Sequence, residues 1–268
     1  MSRLRQHVRA RPLLAYLVTA VLLEGGVLLT RPGRNVTPFL LVLVPPVAAI
    51  LTSALQGGWE DVRTLFARIT RWRVAFRWYL AALIVPLVGT LVIVAIAILS
   101  GATSRPFAGL TPADAVVPAV VLLPGLLEEF GWRGYGVPAA MADGRPGLWA
   151  ALIVGVVFTL AHLPLYLPGQ LYDGLPLWPL PLILLSYSVL LTWVFLGTGG
   201  SSLLAGLTHA SLNGWVPLTS GIDAAWVAQA RAVVFVVIAL VIITASRPLL
   251  LATRVGEPAA QMRPPAHM

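Results

Sequence analysis

The chain has 268 residues, of which 58% are hydrophobic and only 10% charged, and its mean hydropathy is +0.88. Soluble domains carry about 25% charged residues, so this composition excludes a soluble globular protein and points to an integral membrane protein. Cysteine is absent, which excludes a disulfide framework, a thiolate nucleophile and a Cys-ligated metal, and the net charge of +8 comes from arginines beside apolar segments, a topology signal and not a nucleic-acid footprint.

A helix needs about 20 apolar residues to cross the hydrocarbon core of a bilayer. Eight segments are predicted to do so: 12–30, 36–56, 78–100, 116–141, 147–166, 177–197, 201–218 and 231–249. The first follows Arg3, Arg5, Arg9 and Arg11 and so looks at first like a signal peptide. Glu24 interrupts its apolar run and no small-residue cleavage site follows, so it reads as a retained span. Between the second and third spans, 59–77 carries five arginines, with Val62, Leu65, Phe66 and Ile69 at helical spacing and Trp59, Trp72 and Trp78 as interfacial anchors. That pattern predicts an amphipathic helix on an anionic membrane surface. Pro124 and Pro164, near the polar residues of the fourth and fifth spans, are positions where a helix can kink and admit water.

The arginines orient the chain. With the amino terminus inside, thirteen arginines fall on the cytoplasmic side and four (Arg31, Arg34, Arg105 and Arg231) outside, with Arg133 in the membrane. The prediction is an all-α polytopic membrane protein with about eight transmembrane helices and one amphipathic surface helix. It is multi-pass in the cell membrane, with both termini cytoplasmic. Residues 1–250 form one helical domain with its motif core at 116–218, and 251–268 form a disordered cytoplasmic tail.

Polar groups inside the spans carry the functional signal, because each charge placed in hydrocarbon costs several kcal/mol. Glu128 and Glu129 are adjacent in the fourth span, and Arg133 follows Glu129 by four residues, the spacing that places an acid and a base on one helix face. Glu128 lies about 100° round the helix without that partner, free to take and give a proton. The fifth span ends in Phe158-Thr159-Leu160-Ala161-His162, and a lone histidine there is more often structural than catalytic. His209 and Asn213, again four apart, can donate two convergent hydrogen bonds to an oxyanion, or serve only as packing glue between helices. Together, a base, a second titratable group and two donors are the parts of water-mediated acyl hydrolysis. Straight helices would scatter these groups in depth, since His162 is about 22 Å from the inner end of its span and His209 about 10 Å from the inner end of its own. Trp149, Tyr166, Trp178, Tyr187, Trp193 and Trp215 read as interfacial belt and core packing, and Glu24 matches no motif.

The Glu-Glu-x-x-x-Arg, Phe-x-x-x-His and His-x-x-x-Asn patterns, in that order over residues 128–213, resemble the CAAX protease and bacteriocin-processing family of intramembrane proteases, also called the abortive-infection family. The resemblance implies an endopeptidase acting on a membrane-associated peptide or protein. It implies that Glu128 and His162 activate water, that His209 and Asn213 form the oxyanion hole, and that Arg133 holds Glu129. Zinc is the metal to weigh, because Glu128, His162 and His209 are the donor types of a site with an open position. No His-Glu-x-x-His spacing is present and a glutamate–histidine mechanism requires no ion, so no metal or cofactor is expected. The competing readings are a non-catalytic immunity or scaffold protein, a proton-coupled transporter, and another membrane-embedded enzyme with the same acid–base cluster. A scaffold has no use for a full set of costly polar groups, and the chain shows no internal repeat of the transporter kind.

Overall fold

A computed structural model describes residues 3–142 and 144–256. Every regular element among them is helical: α1 (Arg3–Ala10), α2 (Pro12–Leu29), α3 (Thr37–Gly57), α4 (Trp59–Ile69), α5 (Phe76–Leu99), α6 (Val117–Val120), α7 (Leu122–Gly131), α8 (Val137–Met141), α9 (Gly147–His162), α10 (Pro179–Gly197), α11 (Ser202–Gly214), α12 (Ala224–Ala245) and α13 (Arg247–Leu250). Among the described residues, seven helical segments are long and apolar enough to cross a membrane, so the chain is an all-α polytopic membrane protein.

The segment expected to span at 201–218 differs from the others. Its helix α11 has only 13 residues, a rise of about 20 Å, and continues as a tight 3₁₀ turn at Val216–Thr219. Its two ends are nevertheless tied to the segments that flank α5. At one end the Ser201 hydroxyl donates to the Arg71 carbonyl over 2.6 Å, and at the other the Phe107 N–H donates to the Ser220 carbonyl over 3.1 Å. Most of α11 is buried between α5, α7 and α10, where irregular backbone is tolerated because protein and not lipid surrounds it.

The surface helix is shorter than the sequence suggests. Its apolar stripe runs out at Ile69, where α4 stops, and residues 70–75 lead back to the bundle in irregular turns. Val62 and Leu65 are buried beneath it, and the Arg68 guanidinium donates to the Gly134 carbonyl. Burial and the neighbouring Arg71 lower the Arg68 pKa. Trp59 and Trp72 are exposed, as interfacial anchors should be. Trp78 is buried instead, with its ring 4.8 Å from that of Trp193.

Each end of the bundle is tied together. At the α4 end, Arg9 Nε donates to the Gln56 carbonyl over 2.6 Å, and the Gly147 N–H donates to the Ala252 carbonyl over 2.9 Å. The first and last described residues therefore lie at this end; residues 257–268 of the expected tail lie outside the described residues. At the opposite end, Arg34 Nη2 donates to the Leu171 carbonyl over 3.3 Å and Thr103 Oγ1 to the Gly221 carbonyl over 2.9 Å.

Candidate active site

Close approach of α7 and α11 builds the site. A Cβ on Gly125 would come 2.9 Å from the Gly206 carbonyl oxygen and 3.0 Å from the Ala210 nitrogen, so small residues let the two backbones nearly touch. Just beyond α7, Trp132–Gly136 widens into a π turn, a feature often found at functional sites. The long fourth span is thus a chain of short helical pieces, and α9 ends at His162. These breaks bring to one cavity groups that straight helices would have spread in depth.

Glu129 is fully buried and doubly bound. Arg133 Nη1 lies 3.0 Å from its Oε1 and 2.8 Å from its Oε2, and His209 Nδ1 donates to Oε1 over 2.8 Å. The arginine–glutamate pair is the one the four-residue spacing predicts; the bond from His209 is an addition. Arg133 is held further by its bond to Ser188 Oγ at 2.9 Å, and Ser188 in turn donates to the Ala151 carbonyl over 2.6 Å. The guanidinium also sits 5.7 Å from the Phe158 ring centroid.

Glu128, His162, His209 and Asn213 all line a single cavity of about 580 Å³. Glu129 and Arg133 do not reach it; they form the packed layer behind. Glu128 makes no hydrogen bond or ion pair with any described residue. The Phe158 ring packs edge-on to both imidazoles, 4.5 Å from His162 and 5.9 Å from His209.

The tautomers follow from the partners. His162 Nδ1 faces the Phe158 carbonyl at 2.9 Å, and a carbonyl only accepts, so Nδ1 carries the proton and Nε2 of the neutral ring is a base. His209 likewise spends its Nδ1 proton on Glu129, so its Nε2 donates a bond only when the ring is an imidazolium. The charges of Glu129 and Arg133 cancel.

Several wall residues were not singled out from the sequence. Tyr166 and Tyr187, read as belt and packing, line the cavity, because the turn after α9 folds inward and one face of the first half of α10, Leu180 to Tyr187, is turned toward it. Arg231, counted as an outside charge, lies about 10 Å inside α12 and also lines the cavity. Its Nε and Nη2 are buried without a hydrogen-bond partner among the described residues. Glu24 is in the wall too. Ser188 was overlooked, although the run Ser186-Tyr187-Ser188 is a polar interruption in an otherwise apolar helix.

Among the described residues, no three His, Asp or Glu side chains group closely enough to hold a metal ion. Glu128, His162 and His209 share the wall without forming a ligand set.

Residues 111–215 match the family model described as type II CAAX prenyl endopeptidase, Rce1-like. The matched stretch contains Glu128, Glu129, Arg133, His162, His209 and Asn213, so the protease resemblance of the three motifs holds over the part of the chain that carries them. No curated protein matches the chain.

Proposed function

We propose that this protein is an intramembrane endopeptidase in which Glu128 and His162 activate water while His209 and Asn213 hold the oxyanion. The observation that carries the reading is the convergence of these four side chains on one cavity, with the neighbouring carboxylate withdrawn into a buried ion pair.

The Glu128 carboxylate takes a proton from water, and the water oxygen bonds to the carbonyl carbon of a substrate peptide. His162 Nε2 accepts a hydrogen bond from the same water and aligns it. The oxyanion that forms accepts from the Asn213 amide and from Nε2 of the imidazolium form of His209, whose Nδ1 faces the Glu129 carboxylate. Pre-aimed donors of this kind in a dry site are among the largest contributions to acyl-transfer catalysis. Glu128 then passes its proton to the departing nitrogen as the C–N bond breaks, giving a carboxylic acid and an amine. No step calls for a metal, so chelators leave turnover intact; activity lost to chelator and restored by zinc would replace this scheme with a metal-assisted one.

The test compares membrane peptides in cells that express wild type or Glu128→Ala at equal levels. Peptides cleaved only in the wild-type cells support the proposal. Identical profiles for the two proteins would refute it.

A further inference from the structure

The cavity is not placed evenly between the two ends of the bundle. Its wall near the surface comes from the end opposite α4: Leu171, Tyr172 and Leu175 from the connection after α9, and Ser220, Ile222 and Ala224 ahead of and at the start of α12. Leu171 and Ala224 are exposed, so this is where the cavity meets its surroundings. No residue of α1, α4, α8 or α13 lines it. Toward the α4 end the buried layer of Glu129, Arg133 and Phe158 closes it off. A second cavity of about 210 Å³ beneath α4, with Asp61 and Arg68 in its wall, shares no residue with the first.

The two ends also differ in charge. The α4 end carries twelve arginines among the described residues, against Glu60 and Asp61. At the other end Arg31, Arg34 and Arg105 are balanced by Asp114, Asp173 and Asp223. Arginine-rich loops stay on the cytoplasmic side of a membrane, which makes the α4 end cytoplasmic.

From these two asymmetries we infer that substrate enters the catalytic cavity from the extracytoplasmic side of the membrane. The substrate class is then a membrane-associated peptide segment presented on the outer face, not a tail approaching from the cytosol. Leu41, Leu175, Leu180, Ile183 and Leu184 give the cavity apolar walls, which suit an apolar stretch of such a segment. The inference rests on the cavity being the reaction site, but the location of its mouth is measurable without any activity.

The absence of native cysteine makes that measurement direct. Leu171→Cys at the mouth and Ala67→Cys on α4 are each treated in intact cells with a membrane-impermeant maleimide. Leu171→Cys is expected to label in intact cells, and Ala67→Cys only after permeabilisation. The reverse pattern, or labelling of both only after permeabilisation, overturns the inference; Ala224→Cys replaces Leu171→Cys if that variant does not accumulate. A second arm places a cysteine deeper in the cavity, as Ala228→Cys, and adds a bulky impermeant maleimide from outside. Cleavage of the peptides that depend on Glu128 should then fall at least tenfold. If the outer face labels but cleavage continues unchanged in the labelled protein, entry from outside is wrong while the catalytic reading stands. If no peptide depends on Glu128, the catalytic reading fails and the labelling result still fixes where the cavity opens.

Discussion

Glu128 and Glu129 are neighbours in the chain, and the helix sends them to two very different places. Behind the cavity, Glu129 is fully buried with Arg133 on one side and His209 on the other, and Arg133 is fixed in turn by Ser188 and the Phe158 ring. In front, Glu128 faces open space together with His162 and Asn213 and has no partner among the described residues. The difference separates two uses of costly charge in a membrane protein. A carboxylate held in a buried ion pair is part of the architecture, and one left without such a pair beside a cavity is available to a substrate. The two arginines inside the bundle repeat the contrast, since Arg133 is ion-paired with Glu129 and Arg231 is in no ion pair among the described residues.

The sharpest way to break this comparison is to remove the partner that makes Glu129 structural. Arg133→Leu should lower stability by about 3–5 kcal/mol, because it strands a buried carboxylate, and should be read in the unfolding midpoint of detergent-purified protein. A midpoint equal to that of wild type would mean the ion pair does not hold the layer behind the cavity.

Asn213→Ala probes the other side. Loss of one oxyanion donor should slow turnover by about 100- to 1000-fold, with the unfolding midpoint unchanged. A stability loss instead would assign Asn213 to packing between helices.

The smallest effect belongs to Arg231→Leu. Removing this guanidinium should cost much less stability than Arg133→Leu does, because it breaks no buried ion pair and leaves behind only the neutral Tyr187 hydroxyl that it faces. A loss as large as that of Arg133→Leu would show that Arg231 is paired in the membrane.

The same contrast governs what could be read from the sequence. The Glu129–Arg133 pair was legible because the partners lie on one helix, four residues apart, and local geometry alone brings them together. The bond from His209 to Glu129 joins residues 80 apart and depends on how closely Gly125 and Gly206 let two helices approach, which no local pattern encodes. Seven long spans followed from hydropathy, whereas α11 was legible only as an apolar stretch, its short helix being permitted by burial that depends on its neighbours. Arg231 was counted with the outside charges because span ends inferred from composition carry errors of several residues, and α12 begins seven residues before it. Tyr166 and Tyr187 look like belt and packing residues in a linear reading; the turn after α9 brings Tyr166 to the cavity, and the packed orientation of α10 brings Tyr187.

One paired measurement tests the division of labour directly. Glu128→Gln and Glu129→Gln are purified and compared for unfolding midpoint and for turnover of a peptide that wild type cleaves. Glu128→Gln should keep the wild-type midpoint and lose turnover by about 10,000-fold, the upper end of what a general base contributes. Glu129→Gln should lose stability, since it leaves Arg133 charged and buried without its counter-ion. Wild-type turnover by Glu128→Gln, or an unfolding midpoint for Glu129→Gln equal to that of wild type, would contradict the assignment of chemistry to one glutamate and architecture to the other.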